Sequence, residues 1–213
     1  MVIKILCFGD SLTEGWIDDG RCFHPYTESL QRLLSKENRN ISVINSGISG
    51  ETITVDMMKR LPSVLDKHPE CDVLIIQGGT NDILQFLTLN SSNSLYQNLA
   101  KLINICVQRK ISKVLILTTM EGYFVESDGA TMNQTASNSL RLDFNQEIRK
   151  NIEQRSTIST QICICDMEVE FPMFNLSEKC VKIMWDDSLH PTAHGYDRMG
   201  EIIFQRLKSL SWI

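Results

Sequence analysis

Ser11 lies in the polar segment Gly9-Asp10-Ser11, directly after an apolar run at the start of the chain. A serine hydroxyl is a weak nucleophile unless a neighbouring base removes its proton as it attacks. Histidine is the usual base, because its pKa lies near neutral pH. Taken alone, the segment is more typical of a turn in which the serine caps the next helix. The case for a nucleophile therefore depends on what the rest of the chain supplies.

Of the four histidines, His190 is the one with an acid at a short, fixed offset in a polar segment. Asp187, three residues earlier, could hold the imidazole and stabilise its protonated form. Pro191 disfavours helical backbone at His190, so we expect a loop. Asp186 is an alternative partner with a less suitable spacing. His194 completes an HxxxH pair, but Pro191 and the absence of an HExxH glutamate argue against a metal site.

Attack on an acyl carbonyl puts negative charge on its oxygen, and fixed N–H donors stabilise that charge. Gly47 offers a backbone N–H with no side chain in front of it, Asn81 a side-chain amide, and Ser11 its own N–H. We predict that these three form an oxyanion hole. Beside them, Asp10 and Asp82 are expected to accept hydrogen bonds that fix the loops.

Positioning these residues requires a fold that brings distant segments together. Five runs are typical of strands: 2–8, 41–45, 72–77, 113–119 and 160–167. Helical periodicity fills the gaps, with one helix expected from Pro25 to about residue 38 and a weaker one over 52–67, interrupted at Pro62. The alternation predicts an α/β fold with a parallel sheet. Ligands of such sheets bind beyond the carboxyl ends of the strands, where the polar segments fall.

Composition excludes several classes of function. The chain has 213 residues, 42% of them hydrophobic, and no linker, so we predict one domain over 1–213. A net charge of -5 without a basic cluster argues against a nucleic-acid partner. No apolar stretch reaches the ~20 residues of a membrane helix. Seven cysteines, an odd number without CxxC, suggest free thiols in a reducing compartment, and we expect a cytoplasmic protein.

The polar segments together resemble the motif blocks of the SGNH hydrolases, the GDSL-type esterases and lipases. The blocks are GDSL at 9–12, the glycine of NSGISG at 45–50, GGTND at 78–82 and DDSLHP at 186–191. They occur in the family's order and span nearly the whole chain. The resemblance implies a flavodoxin-like, three-layer α/β/α sandwich with a five-stranded parallel sheet. It also implies ester hydrolysis through an acyl-serine, without metal or cofactor.

The resemblance also implies roles for the candidate residues. Ser11 becomes the nucleophile, His190 the base and Asp187 the residue that orients it, with Ser11, Gly47 and Asn81 as oxyanion donors. The substrate would be a small-molecule ester. A carbohydrate deacetylase, thioesterase or acyltransferase using the same site is an alternative, and a non-catalytic binding module a less favoured one. A nucleotide or phosphate binder is disfavoured, because no glycine-rich phosphate loop follows the first strand.

Two segments that follow active-edge strands, 84–94 and 120–135, are candidates for the walls of a substrate pocket. We predict that apolar side chains in them line an acyl pocket: Leu84, Phe86, Leu87, Tyr123 and Phe124. The sequence contains no feature that fixes the oligomeric state.

Overall fold

A parallel sheet lies at the centre of the computed structural model, which describes residues 2–37, 40–86, 92–122 and 134–213. The strands of this sheet are β1 (Ile3–Gly9), β4 (Ile41–Gly47), β5 (Val73–Gln77), β6 (Lys113–Leu117) and β7 (Gln161–Cys165). Their order is β4-β1-β5-β6-β7, and all neighbours pair in parallel. Two short strands, β2 (Trp16–Ile17) and β3 (Cys22–Phe23), form an antiparallel hairpin after β1.

Helices connect the strands and cover both faces of the sheet. They are α1 (Ser11–Glu14), α2 (Tyr26–Lys36), α3 (Met58–Lys67), α4 (Thr80–Phe86), α5 (Ser92–Gln108), α6 (Gln134–Asn151), α7 (Met167–Glu170), α8 (Glu178–Met184) and α9 (Ala193–Ser209). Buried side chains of α3, α5 and α6 form one apolar cluster with the sheet, and those of α2 and α9 form another. The protein is a three-layer α/β/α sandwich, and the predicted fold class is confirmed.

Strand β1 shows why its sequence is almost continuously apolar. Side chains alternate between the two faces of a strand. Accordingly, Leu6 and Phe8 join the cluster under α3 and α5, while Ile5 and Cys7 join the cluster under α2 and α9. All four are fully buried. A strand covered on both faces has no position that favours a polar residue.

The predicted interruption of a helix at Pro62 is wrong. A single turn of π-helix, Ile53–Met57, leads directly into α3, which continues through Pro62 to Lys67. Proline removes one backbone hydrogen bond from a helix interior. Leu61, Val64 and Leu65, on either side of it, are buried in the core and hold the helix against the sheet. Packing thus outweighs the local preference. The β2–β3 hairpin was not predicted.

The strand order fixes where a ligand can bind. From β1 the chain moves outward to β4 on one side and then returns to β5 on the other side of β1. This reversal leaves a crevice beyond the carboxyl ends of β1 and β5, the usual binding position in such sheets. Ser11 follows β1 and Asn81 follows β5, so both border that crevice.

Candidate active site

Ser11 is held at the start of a short helix at the carboxyl end of β1. Asp10 caps this helix, since its Oδ1 accepts the backbone N–H of Leu12 at 3.0 Å. Ser11 is 7% exposed, and its Oγ lies 3.0 Å from Nε2 of His190. The first N–H groups of a helix have no partner within it. The backbone N–H of Ser11, the first residue of α1, therefore has no acceptor within the helix and can donate to a ligand.

His190 lies in the loop before α9 and contacts Asp187 through its other ring nitrogen. Nδ1 is 2.8 Å from Oδ2 of Asp187. A carboxylate only accepts, so Nδ1–H donates, and in the neutral ring Nε2 is left unprotonated and able to accept from Ser11. Oδ1 of Asp187 accepts the backbone N–H groups of Leu189 and His190, both at 2.6 Å. The carboxylate is thus fixed by its own loop.

Asp186, the alternative partner of His190, is engaged elsewhere. Its Oδ2 accepts the backbone N–H of Asp18 at 2.7 Å, which ties the β2–β3 hairpin to the loop that carries His190. The structure therefore brings Asp187, and not Asp186, to the imidazole.

The charge state of Asp187 suits a partner of imidazolium. Partial burial on its own would raise the pKa of this carboxyl. The hydrogen bonds from His190 and Leu189 outweigh burial, so the pKa lies below its ordinary value. The group is ionised at neutral pH and can stabilise positive charge on the ring.

Trp16 makes an unpredicted contact with His190. Its ring stacks on that of His190, with centroids 5.8 Å apart and planes at 29°. The backbone carbonyl of Trp16 accepts the hydroxyl of Tyr196 at 3.1 Å, which anchors the hairpin to α9. The imidazole is therefore bounded by an indole face as well as by Asp187. A signal existed in the sequence, since this tryptophan lies only five residues after Ser11.

Gly47 lies at the carboxyl end of β4, packed against α1. A Cβ atom at this position would lie 2.2 Å from the backbone nitrogen of Glu14, so only glycine fits. Its N–H donates to Oδ1 of Asn45 at 2.8 Å. Asn45 is in turn held by its own amide, which donates to the carbonyl of Thr13 at 2.8 Å. The Gly47 donor therefore reaches an oxyanion only by sharing or exchanging this bond.

Asn81 lies in the first turn of α4, after Gly79, whose φ of 106° favours glycine. Its Nδ2 donates to the backbone carbonyl of Glu51 at 2.9 Å. An amide nitrogen carries two hydrogens, so one remains for a ligand. Next to it, the buried Asp82 accepts the backbone N–H groups of Ile53 and Thr54, at 2.8 and 3.0 Å. Asp82 thereby holds the start of the helical segment that leads into α3.

Other sequence-based expectations concern the surroundings of this site. Leu84 is half-buried and packs against the core cluster under α5, and its role in an acyl pocket stays a prediction. Leu87, Tyr123 and Phe124 lie outside the described residues, as does the Phe86 side chain. In the described ranges, no group of three or more His, Cys, Asp or Glu residues is arranged to hold a metal ion. No helix among the described residues is long and apolar enough to span a membrane.

Asp10 is a buried carboxyl next to Ser11. It is fully buried, and Oδ2 has no hydrogen-bond partner among the described residues. Burial raises the pKa of Asp10 to about 7, although the bond from Leu12 and the nearby charge of His190 partly oppose this. The group therefore changes its charge near neutral pH in the folded protein.

The pH dependence of stability should reveal this carboxyl. Between its ordinary pKa of 3.8 and about 7, the folded state holds a proton on Asp10 that the unfolded state has lost. Asp10 therefore lowers the free energy of unfolding as pH rises through this range, by about 4 kcal/mol in total. We expect Asp10→Asn to gain stability relative to wild type from pH 4 to pH 8, measured by urea denaturation. The exposed Asp143→Asn is the control, and an Asp10→Asn difference that is constant with pH would contradict the prediction.

Both the fold and the sequence of this chain match known proteins. The flavodoxin-like sandwich, with its polar segments at the carboxyl edge, is the fold of the SGNH esterases. The sequence matches the GDSL-like Lipase/Acylhydrolase family over residues 7–198, and the chain belongs to this family. Membership supports ester hydrolysis in general terms.

Solved structures share the fold over nearly all of the chain. A carbohydrate acetylesterase family member from Sinorhizobium meliloti has a TM-score of 0.74 at 17% identity, covering 100% of both chains. The aryl esterase of M. smegmatis has a TM-score of 0.72 at 20% identity, covering 98% of this chain and 100% of its own. A lipase/acylhydrolase from Enterococcus faecalis has a TM-score of 0.71 at 22% identity, covering 98% and 96%. At these identities the likeness establishes the fold alone.

A further relative matches only about a third of this chain in sequence. The uncharacterized lipoprotein YqeF of Bacillus subtilis (strain 168) is 33% identical over 78 residues. The match includes 37% of this chain and spans only 31% of the length of that relative.

Proposed function

We propose that this protein hydrolyses carboxylic esters through an acyl-enzyme intermediate on Ser11. The observation that carries the proposal is the continuous chain of hydrogen bonds from Ser11 Oγ to His190 Nε2, at 3.0 Å, and from His190 Nδ1 to Asp187, at 2.8 Å. Such a chain supplies a nucleophile, a base in the correct tautomer and a group that stabilises the charge on the base.

In the first half of the reaction, Ser11 Oγ bonds to the acyl carbon while its proton passes to His190 Nε2. The carbonyl oxygen becomes an anion that accepts from the Ser11 N–H, the Gly47 N–H and the free hydrogen of the Asn81 amide. Collapse of this tetrahedral intermediate breaks the bond to the alcohol oxygen, which takes the proton from Nε2. Water then attacks the acyl-serine with His190 again as base, and the acid leaves as Ser11 is restored.

Binding of the oxyanion competes with a bond inside the protein. The Gly47 N–H donates to Oδ1 of Asn45. A charged oxygen accepts more strongly than a neutral amide oxygen. Gly47 would therefore exchange or share its partner as charge develops, which favours the tetrahedral intermediate over the neutral ester.

The proposed substrates are small or medium acyl esters. Family membership and the names of the structural neighbours, carbohydrate acetylesterase and aryl esterase among them, support small or medium acyl esters. A carbohydrate O-deacetylase, a thioesterase or an acyltransferase would use the same residues. The net charge of -5 argues against a nucleic-acid partner. Free cysteines, two of them exposed, support a reducing location such as the cytoplasm.

Labelling with a fluorophosphonate tests the proposal. This reagent phosphonylates an activated serine, so we expect one adduct on wild type, mapped by peptide mass spectrometry to Ser11. The protein should also hydrolyse p-nitrophenyl acetate or butyrate. A folded wild type that is neither labelled nor active on these esters would favour the binding-module alternative.

Identification of the reaction products distinguishes the alternative substrate classes. A chain-length series of p-nitrophenyl esters ranks acyl groups. Acetylated sugars test for deacetylation, acyl thioesters for thioesterase activity, and added alcohols that capture the acyl group test for transfer.

A further inference from the structure

Arg60, on α3, contacts three chain segments: two that lead into the candidate oxyanion donors Ser11 and Gly47, and one that accepts a hydrogen bond from Asn81. These segments are the end of β1 at Gly9, the end of β4 at Ser46 and the loop at Glu51. The side chain of Arg60 is 15% exposed, so it is largely enclosed by these partners. Sequence reasoning assigned it no role.

The first two contacts join Arg60 to the ends of neighbouring strands. Nη2 donates to the backbone carbonyl of Gly9 at 3.1 Å, two residues before Ser11. Nη1 donates to the backbone carbonyl of Ser46 at 3.1 Å and to its hydroxyl at 3.0 Å, directly before Gly47. One guanidinium therefore bridges the segments that position the Ser11 and Gly47 N–H groups.

The third contact reaches Asn81 through Glu51. Nε of Arg60 donates to both carboxylate oxygens of Glu51, at 2.6 and 2.8 Å, and Nη2 also donates to Oε2. The backbone carbonyl of the same Glu51 accepts the Asn81 amide at 2.9 Å. The ion pair thus fixes the residue that orients the side chain of Asn81.

Arg60 is also fixed from the side of the sheet. Its Cζ lies 4.2 Å from the centroid of the Phe8 ring, and Phe8 pairs with Ser46 across β1 and β4. A guanidinium has five N–H donors. All five are used: Nε–H by Glu51, the two on Nη1 by the carbonyl and hydroxyl of Ser46, and the two on Nη2 by Gly9 and Glu51. No donor is left to point at a substrate, so Arg60 does not itself touch the reacting atoms.

We propose that Arg60 is a positioning residue that sets the spacing of the oxyanion donors of Ser11, Gly47 and Asn81. The inference rests on the proposed ester hydrolysis. Lysine cannot replace it, because an ammonium is a single point of charge and cannot donate along three directions in one plane. Displacement of a reacting group by about 1 Å can cost about 100-fold in rate. Loss of the guanidinium should therefore act on the chemical step.

The test is a double-mutant cycle with p-nitrophenyl acetate as substrate. We expect Arg60→Lys to lower kcat by about 100-fold with KM changed less than about threefold. If Arg60 acts through the oxyanion donors, most of its effect should vanish once a donor is removed. In an Asn81→Ala background, Arg60→Lys should then lower kcat by less than about tenfold. A general loss of folded protein would lower both backgrounds by the same factor.

Controls separate this proposal from the function on which it rests. Arg109→Lys alters an exposed ion pair with Asp66 and should leave kcat unchanged. If wild type is active and folded Arg60→Lys retains kcat within about threefold, or loses equally in both backgrounds, the positioning role is wrong while the hydrolase function stands. If wild type hydrolyses no ester, both proposals fail. Should Arg60→Lys not fold, Glu51→Gln replaces it in the cycle. It should lower kcat by about tenfold in the wild-type background and by a smaller factor in the Asn81→Ala background.

Discussion

We expect Ser11→Ala to lower kcat for ester hydrolysis by about 10⁶-fold, His190→Ala to lower it by a similar factor, and the double variant to lose no more than either. This result is expected because the hydroxyl and the imidazole act in one step. Without the base at 3.0 Å, Ser11 keeps its proton and hardly attacks, and without the hydroxyl, His190 has no proton to accept from the nucleophile. Each removal therefore abolishes the same event.

The measurement is single-turnover and steady-state kinetics on one p-nitrophenyl ester, with circular dichroism to verify folding. His194→Ala is a matched control, since this exposed histidine lies one turn from His190 at the start of α9. It should leave kcat within about threefold of wild type. Losses that multiply in the double variant would show that Ser11 and His190 act independently. A nearly active Ser11→Ala would exclude the acyl-serine mechanism.

The fold could be predicted from sequence because its signals are local. A strand buried on both faces must be apolar along its buried length, as β1 is from Ile5 to Phe8, and a helix between two such strands must have an apolar stripe. The order of strands then places residues 9–11, 45–47 and 78–82 at one edge without knowledge of any side-chain contact. Pro62 marks the limit of this reasoning, since its local preference is overruled by burial of the leucines beside it.

Parts of the site could be predicted because their chemistry determines their type and spacing. Asp187 and His190 are three residues apart, and the structure joins them. The contacts of Trp16, Asn45 and Arg60 depend instead on partners distant in sequence or on which rotamer a side chain adopts. Arg60 is 51 residues from Gly9, and no periodicity links the two. The network that holds a site is therefore harder to foresee than the groups that perform its chemistry.

The choice between Asp186 and Asp187, which spacing alone left open, leads to an equally specific expectation. Asp187→Asn should lower kcat by about 10⁴-fold. The Oδ1 atom of Asp187 already accepts two backbone N–H groups at 2.6 Å, so the carbonyl oxygen of an asparagine must stay there. Its NH₂ group would then face Nδ1 of His190 and donate to it. The ring is forced to carry its proton on Nε2, where it cannot accept one from Ser11.

Asp186→Asn is the matched control. Among the described residues, the Asp186 side chain accepts the backbone N–H of Asp18 at 2.7 Å, a bond that an asparagine oxygen can also make. We expect kcat to remain within about threefold of wild type. Nitrogen-15 NMR of the imidazole gives an independent readout, since it reports which ring nitrogen is protonated in each variant. If Asp186→Asn costs more activity than Asp187→Asn, the orienting role belongs to Asp186. That result would mean that the loop rearranges when substrate binds.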